Sequence, residues 1–321
     1  MTTAALRLPW PLRGLADAAA AELLGGEGLP HVDFSTPLGE PALTAPDSVS
    51  WRVFKNPVSL FIGGVAAVIL ELAEPRVRSG VWDHTRFRLD PKPRLQRTGL
   101  AAMLTVYGPR SAAEAMIAGV GRMHGRVTGV TPAGQAYRAD DPELLDWVQA
   151  TASFGFLEAY KAFVAPVSEA DQDRFYAESA PAARLYGAVG APTSRAQLET
   201  LMSLMRDRLE PSPIVFDFLD ILRRAPVLPG PLRPLQGLMA RAAVEITPTW
   251  ARALLGLDAR WDLKAWERRL LRTAGAAADR LVLDASPPVQ ASRRLGLPGD
   301  YLYTRPLPSP LAGEGVGEAD G

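Results

Sequence analysis

Chemistry-bearing residues are few in this chain, and one of them sits oddly. The stretch "VGRMHGRVTG", residues 120–129, carries His124, one of only three histidines in 321 residues. At 100° per residue, Ala113, Ile117, Val120, His124 and Val127 fall on one stripe of a helix expected over 112–128, which sets the imidazole on an apolar face. Two readings follow. A core histidine there needs only a carbonyl partner. A neutral imidazole presented into a dry cavity is what an axial haem ligand requires, and Gly121 and Gly125 beside it let a flat macrocycle approach the backbone.

The preceding segment bears on that choice. In "PRLQRTGLAAML", Arg94, Arg97 and Thr98 stand at i, i+3 and i+4 and share a helix face next to Leu95, Leu100 and Ala101. A solvated basic edge accounts for them. A guanidinium and a hydroxyl aimed at dioxygen, a carboxylate or a cofactor propionate also accounts for them. The short connection at 108–111 makes this helix and the next antiparallel neighbours, so Arg94 and Thr98 can face His124. A third group, "VWDHTRF", offers Asp83 and His84, and two histidines plus a carboxylate would suit non-haem iron. His84 packs beside Val77, Val81 and Trp82 and is expected to be structural; His31 lies in a Pro-rich segment. The chain has no Glu-x-x-His or His-x-x-x-His pair, no glycine-rich dinucleotide motif, no phosphate-binding loop and no Gly-x-Ser-x-Gly.

Composition narrows the classes further. Basic and acidic residues number 35 each, so no global field attracts nucleic acid. The absence of cysteine excludes disulfides, iron–sulfur clusters, thiolate-bound haem and a cysteine nucleophile. The longest apolar run, Val58–Leu70, is too short to span a bilayer and reads as a buried core helix. The expectation is a cytoplasmic protein without an integral membrane segment.

The elements that position these groups are helical. Asp90-Pro91, Ser111-Ala-Ala-Glu114, Asp141-Pro142, Ser168, Ser194 and Thr247-Pro248 all read as helix starts. Further helices are expected near 14–24, 58–74, 76–87, 213–224, 231–245 and 261–282, and no run of period-two alternation competes with them. The pattern predicts an all-α fold: residues 1–50 an extension with one helix, 51–285 one helical domain, and 286–321 a Pro/Gly-rich tail that is largely disordered.

Four segments carry a family resemblance. "GGVAAVILELAEPRVRSGVWDHTRFRLDPKPRLQRTG", "YGPRSAAEAMIAGVGRMHGRVTG", "YRADDPELLDWVQAT" and "AYKAFVAPVSEADQDRFYAE" occur in the order seen in MpaB-type oxygenases, which share a catalytic domain with the bacterial latex-clearing proteins, or rubber oxygenases. The resemblance covers roughly 55–265. It implies a globin-like helical domain around a buried pocket for haem b, with His124 as the axial ligand, Arg94 and Thr98 on the dioxygen side, and an apolar, isoprenoid-type small molecule as substrate. An electron donor is a further candidate partner. Where the best-known rubber oxygenase has an iron-capping lysine, this chain has Arg97, a poor ligand, so the sixth position is expected to be open or water-bound. The family's glutamate falls at Glu71 or Glu74, and Gln149 stands where the Trp147–Thr151 motif often has histidine. A non-catalytic ligand-binding or sensor protein is the alternative outside enzymology.

Overall fold

The computed structural model describes residues 5–25, 32–85, 87–228, 230 and 233–304. His31 and the segment 305–321 lie outside the described residues. About 65% of the chain is helical and, among the described residues, the β-structure is one two-stranded hairpin and an isolated bridge between Leu6 and Leu281, so the fold is mostly all-α.

Among the described residues fifteen α-helices follow in order. They are α1 (Leu12–Leu24), α2 (Val49–Phe54), α3 (Pro57–Glu71), α4 (Pro75–Asp83), α5 (Pro91–Tyr107), α6 (Arg110–His124), α7 (Pro142–Phe163), α8 (Glu169–Tyr186), α9 (Arg195–Arg206), α10 (Pro213–Arg224), α11 (Arg233–Ile246), α12 (Thr249–Leu255), α13 (Ala265–Ala278), α14 (Pro287–Arg294) and α15 (Tyr301–Thr304). The hairpin β1 (Thr128–Val130) and β2 (Ala136–Arg138) links α6 to α7, turning at Gly134 with φ +83°.

Helix α3, the apolar run, is the spine of the core and packs most extensively on α7. Their approach is limited only by backbone: a Cβ on Gly63 would stand 2.7 Å from the Gly155 carbonyl oxygen. No single described helix is long and apolar enough to cross a membrane. Asn56 caps α3 by accepting from Val58 and Ser59 N–H, and Pro57 fits the first turn. The expected helix over 58–74 stops at Glu71 because Glu74 turns its carboxylate back onto Val77 N–H and starts α4, bent 113° from α3. Asp141, Ser168 and Ser194 cap α7, α8 and α9 as their sequences imply. Ser111 does not: α6 starts at Arg110, and the Ser111 N–H is taken by Glu40 Oε1 at 2.6 Å.

Helix α6 ends at His124, four residues earlier than the pattern predicts, because 128–130 pair with 136–138 instead. Residues 287–304, read from composition as part of a loose tail, form α14 and α15. Arg294, 1% exposed, gives its guanidinium to three carbonyls, Phe34 O, Glu40 O and Tyr107 O, tying the segment to the back of α5. Helix α2, with fully buried Trp51, was likewise invisible to the pattern.

Candidate functional site

Helix α5 is set by its buried side. Gln96 donates to Glu22 O at 2.9 Å and Gly25 O at 2.6 Å, docking α5 against α1. Its opposite edge, with Arg94, Thr98, Ala101 and Thr105 at i, i+4, i+7 and i+11, is left half-buried or open. Antiparallel α6 brings a matching stripe: Ala113 and Ile117 are buried, then Val120 and His124 are only half-buried. From Phe61 onward α3 repeats the pattern, since Phe61, Gly64, Val68 and Glu71 alone along that stretch are not fully buried. Three helices thus each present one partly open stripe: those of α3 and α6 are apolar until Glu71 and His124, whereas that of α5 carries Arg94, Thr98 and Thr105 with Ala101.

The polar ends meet at Arg94. Its positive charge favours the ionised Glu71 carboxyl and disfavours protonation of His124, so both groups lie within its electrostatic reach. Burial outweighs Arg94 at Glu71 and pushes that carboxyl up to about 7, with Thr151 Oγ1 at 3.5 Å a weak additional partner. Burial also lowers His124, Arg94 lowers it further, and Asp140 opposes both, so the imidazole is neutral near pH 7. Arg94 itself is shifted down by desolvation, and Glu71 counters this.

Neither ring nitrogen of His124 and no guanidinium nitrogen of Arg94 has a hydrogen-bond partner among the described residues. The imidazole and the guanidinium are thus free to take a ligand, and Glu71 has only the long contact with Thr151. Other charges in the neighbourhood are spent on structure. Glu74 caps α4 and holds Arg76 at 2.7 Å, and Arg76 reaches Glu143 at 2.9 Å. Asp140 pairs with Arg138 at 2.9 Å. Of the two glutamates that the sequence leaves open, Glu71 is therefore the one that faces Arg94.

Several sequence expectations need correction. His124 is not mid-helix on a dry face; it closes the last turn of α6 and is half-exposed, because the chain leaves the helix there for the hairpin. Arg97 and Thr98 are exposed, and Thr98 Oγ1 donates to Arg94 O at 3.0 Å, a bond within the helix. His84 is exposed rather than buried, with Nε2 and the Tyr137 hydroxyl 3.0 Å apart. No group of three His, Asp or Glu that could hold a metal occurs among the described residues, so the non-haem set of His84, His124 and a carboxylate is not assembled. An iron porphyrin brings four nitrogens of its own and asks the protein for one axial ligand. The donor set fits that demand: one neutral, partnerless imidazole, one free guanidinium able to take an anionic group, and apolar stripes beside them. A buried cofactor pocket is expected from the resemblance; the two surface cavities of about 430 and 570 Å3 are lined by other residues.

Thr151 is the neighbour that sequence reasoning passed over. Its signal was the Trp147-x-x-x-Thr151 spacing, which stacks both side chains on the α3-facing side of α7, where both are fully buried.

Comparison with curated proteins and with solved structures gives no match. Residues 51–280 match the family described as "ER-bound oxygenase mpaB/B'/Rubber oxygenase, catalytic domain". That match runs from within α2 to the end of α13, so Glu71, Arg94 and His124 all lie inside it. The chain belongs to this oxygenase family and is an oxidoreductase.

Proposed function

We propose that the protein is a haem-dependent oxygenase that holds haem b through His124 and acts with dioxygen on an apolar, isoprenoid-type substrate. The observation that carries this reading is the half-buried, neutral imidazole of His124, which lacks a partner and lies within the field of an equally unpartnered Arg94. When bound, the haem would supply the iron centre at which dioxygen is activated.

This chain's own residues have separate tasks. His124 offers a lone pair without a competing proton, since Arg94 and burial both keep the ring neutral. Arg94 stays charged and orients an anionic or strongly polarised oxygen. Thr98 would add a hydroxyl on the same edge, and exposed Arg97, one turn from Arg94, would take a propionate. Glu71, with its pKa near 7, holds or accepts a proton at its carboxyl, within the field of Arg94. Phe61, Gly64 and Val68 give the substrate an apolar track leading to that carboxyl.

The test is optical. Protein produced with haem available is expected to show a Soret band with close to one haem per chain, and His124→Ala should lose it while helical circular dichroism persists. Full haem occupancy in His124→Ala would end the axial-ligand assignment. Dioxygen uptake with an isoprenoid alkene, absent with the saturated analogue, tests the substrate class.

A further inference from the structure

A second cleft, about 430 Å3, opens between α7, α8, α9 and α12, and none of the residues in the oxygenase site borders it. Its floor holds Tyr176, only 2% exposed. The hydroxyl of that buried phenol has no hydrogen-bond partner among the described residues, and it is not sealed from the cleft. Burial raises the phenol well above its ordinary pKa, so it is a donor in need of an acceptor.

The charges around it are unequal. Lys161 pairs with Glu158 at 2.6 Å and also donates to Gln172 at 3.0 Å. Arg195 pairs with Glu169 and Asp173. Glu199 is exposed on α9. Arg206 has a different environment: its guanidinium lies 5.5 Å over the Trp250 ring, an aromatic contact in place of a carboxylate. Lys161 and Arg195 are thus already neutralised by carboxylates, and among the described residues Arg206 is the lining cation left without one. Leu198, Met202 and Phe154 supply apolar wall.

We propose that this cleft is a binding site for a monoanionic amphiphile, an apolar body ending in a carboxylate. The carboxylate accepts from the Tyr176 hydroxyl and takes the charge of Arg206, and the apolar body lies along Trp250, Met202 and Leu198. The site is independent of haem and of the chemistry proposed for Glu71, Arg94 and His124.

Calorimetric titration of the full chain with dodecanoate tests it, with dodecan-1-ol as the uncharged counterpart. One saturable site per chain is expected, with the alcohol at least about tenfold weaker for want of a charge-assisted hydrogen bond. Tyr176→Phe deletes one oxygen atom and Arg206→Gln alters an exposed side chain, so both variants should keep the parent's circular dichroism and melting temperature. Each should weaken dodecanoate about tenfold, and neither should change the Soret band. Absence of saturable dodecanoate binding in the parent overturns the proposal. Unchanged affinity in both variants overturns it too, since the anion would then sit elsewhere.

Discussion

Arg94 on α5 and Glu71 on α3 face each other without forming an ion pair; the guanidinium lowers the carboxyl's proton affinity, yet burial still holds it at about 7. A contact ion pair would depress the carboxyl well below its usual range. At this separation the pair keeps a carboxyl that can take or release a proton near neutrality.

That balance has a signed consequence for stability. The folded carboxyl titrates at about 7 against an ordinary value of 4.5, so between those pH values the folded state holds more protons than the unfolded. Its contribution is fully present below 4.5 and is lost as pH rises through 7. Glu71→Gln, which cannot ionise, is expected to raise the melting temperature at pH 8 and leave it nearly unchanged at pH 4.5. Oxygen uptake with substrate should lose its pH-dependent limb near 7 in the same variant. Equal melting shifts at both pH values would place Glu71 in ordinary solvent.

Removing Arg94 acts on two groups at once. Arg94→Ala should move the activity limb of Glu71 above 7 and move the His124 pKa up towards 6.5, because one positive charge opposes protonation of both. Arg94→Lys keeps the charge and should restore much of the limb's position, though not bidentate oxygen binding. Measurement of the rate profile and of haem retention against pH separates the two effects.

His124→Ala should cost little stability. The ring has no hydrogen-bond partner to strand and it closes a half-exposed helix end, so the change is expected within about 1 kcal/mol by chemical denaturation. Haem content, by contrast, should collapse. Because burial and Arg94 lower the ring's pKa, the parent should hold haem to below pH 6.5 before protons compete for the ligand.

Gly155→Ala tests the spine. A Cβ there would stand within van der Waals overlap of the Gly63 carbonyl oxygen, and backbone cannot swing aside as a flexible side chain can. Overpacking of this kind costs on the order of 1–3 kcal/mol. The separation of α3 from α7 should also break the Glu71–Thr151 contact, so activity should fall with stability.

Arg294→Met tests the C-terminal helices. The methionine fills similar volume but leaves three buried carbonyls without their donor, and a loss of about 3 kcal/mol is expected by urea denaturation. A change below about 0.5 kcal/mol would mean that 287–304 is peripheral to the fold.

The helical class was legible in the sequence because capping residues and 3.6-residue periodicity are local properties. Asp141-Pro142, Ser168 and Ser194 announce their helices whatever packs on them, and Arg94 shares an edge with Thr98 by spacing alone. The order of four motifs sufficed to suggest the oxygenase family to which 51–280 belongs. Tertiary structure decided the rest. Which glutamate faces Arg94 depends on Glu74 being consumed by the cap of α4, and where α6 ends depends on 128–130 finding 136–138. Whether a Pro- and Arg-rich segment such as 287–304 is ordered depends on distant carbonyls that accept Arg294. Each is a competition between local preference and a partner far along the chain, and sequence spacing carries no record of such a partner until the chain is folded.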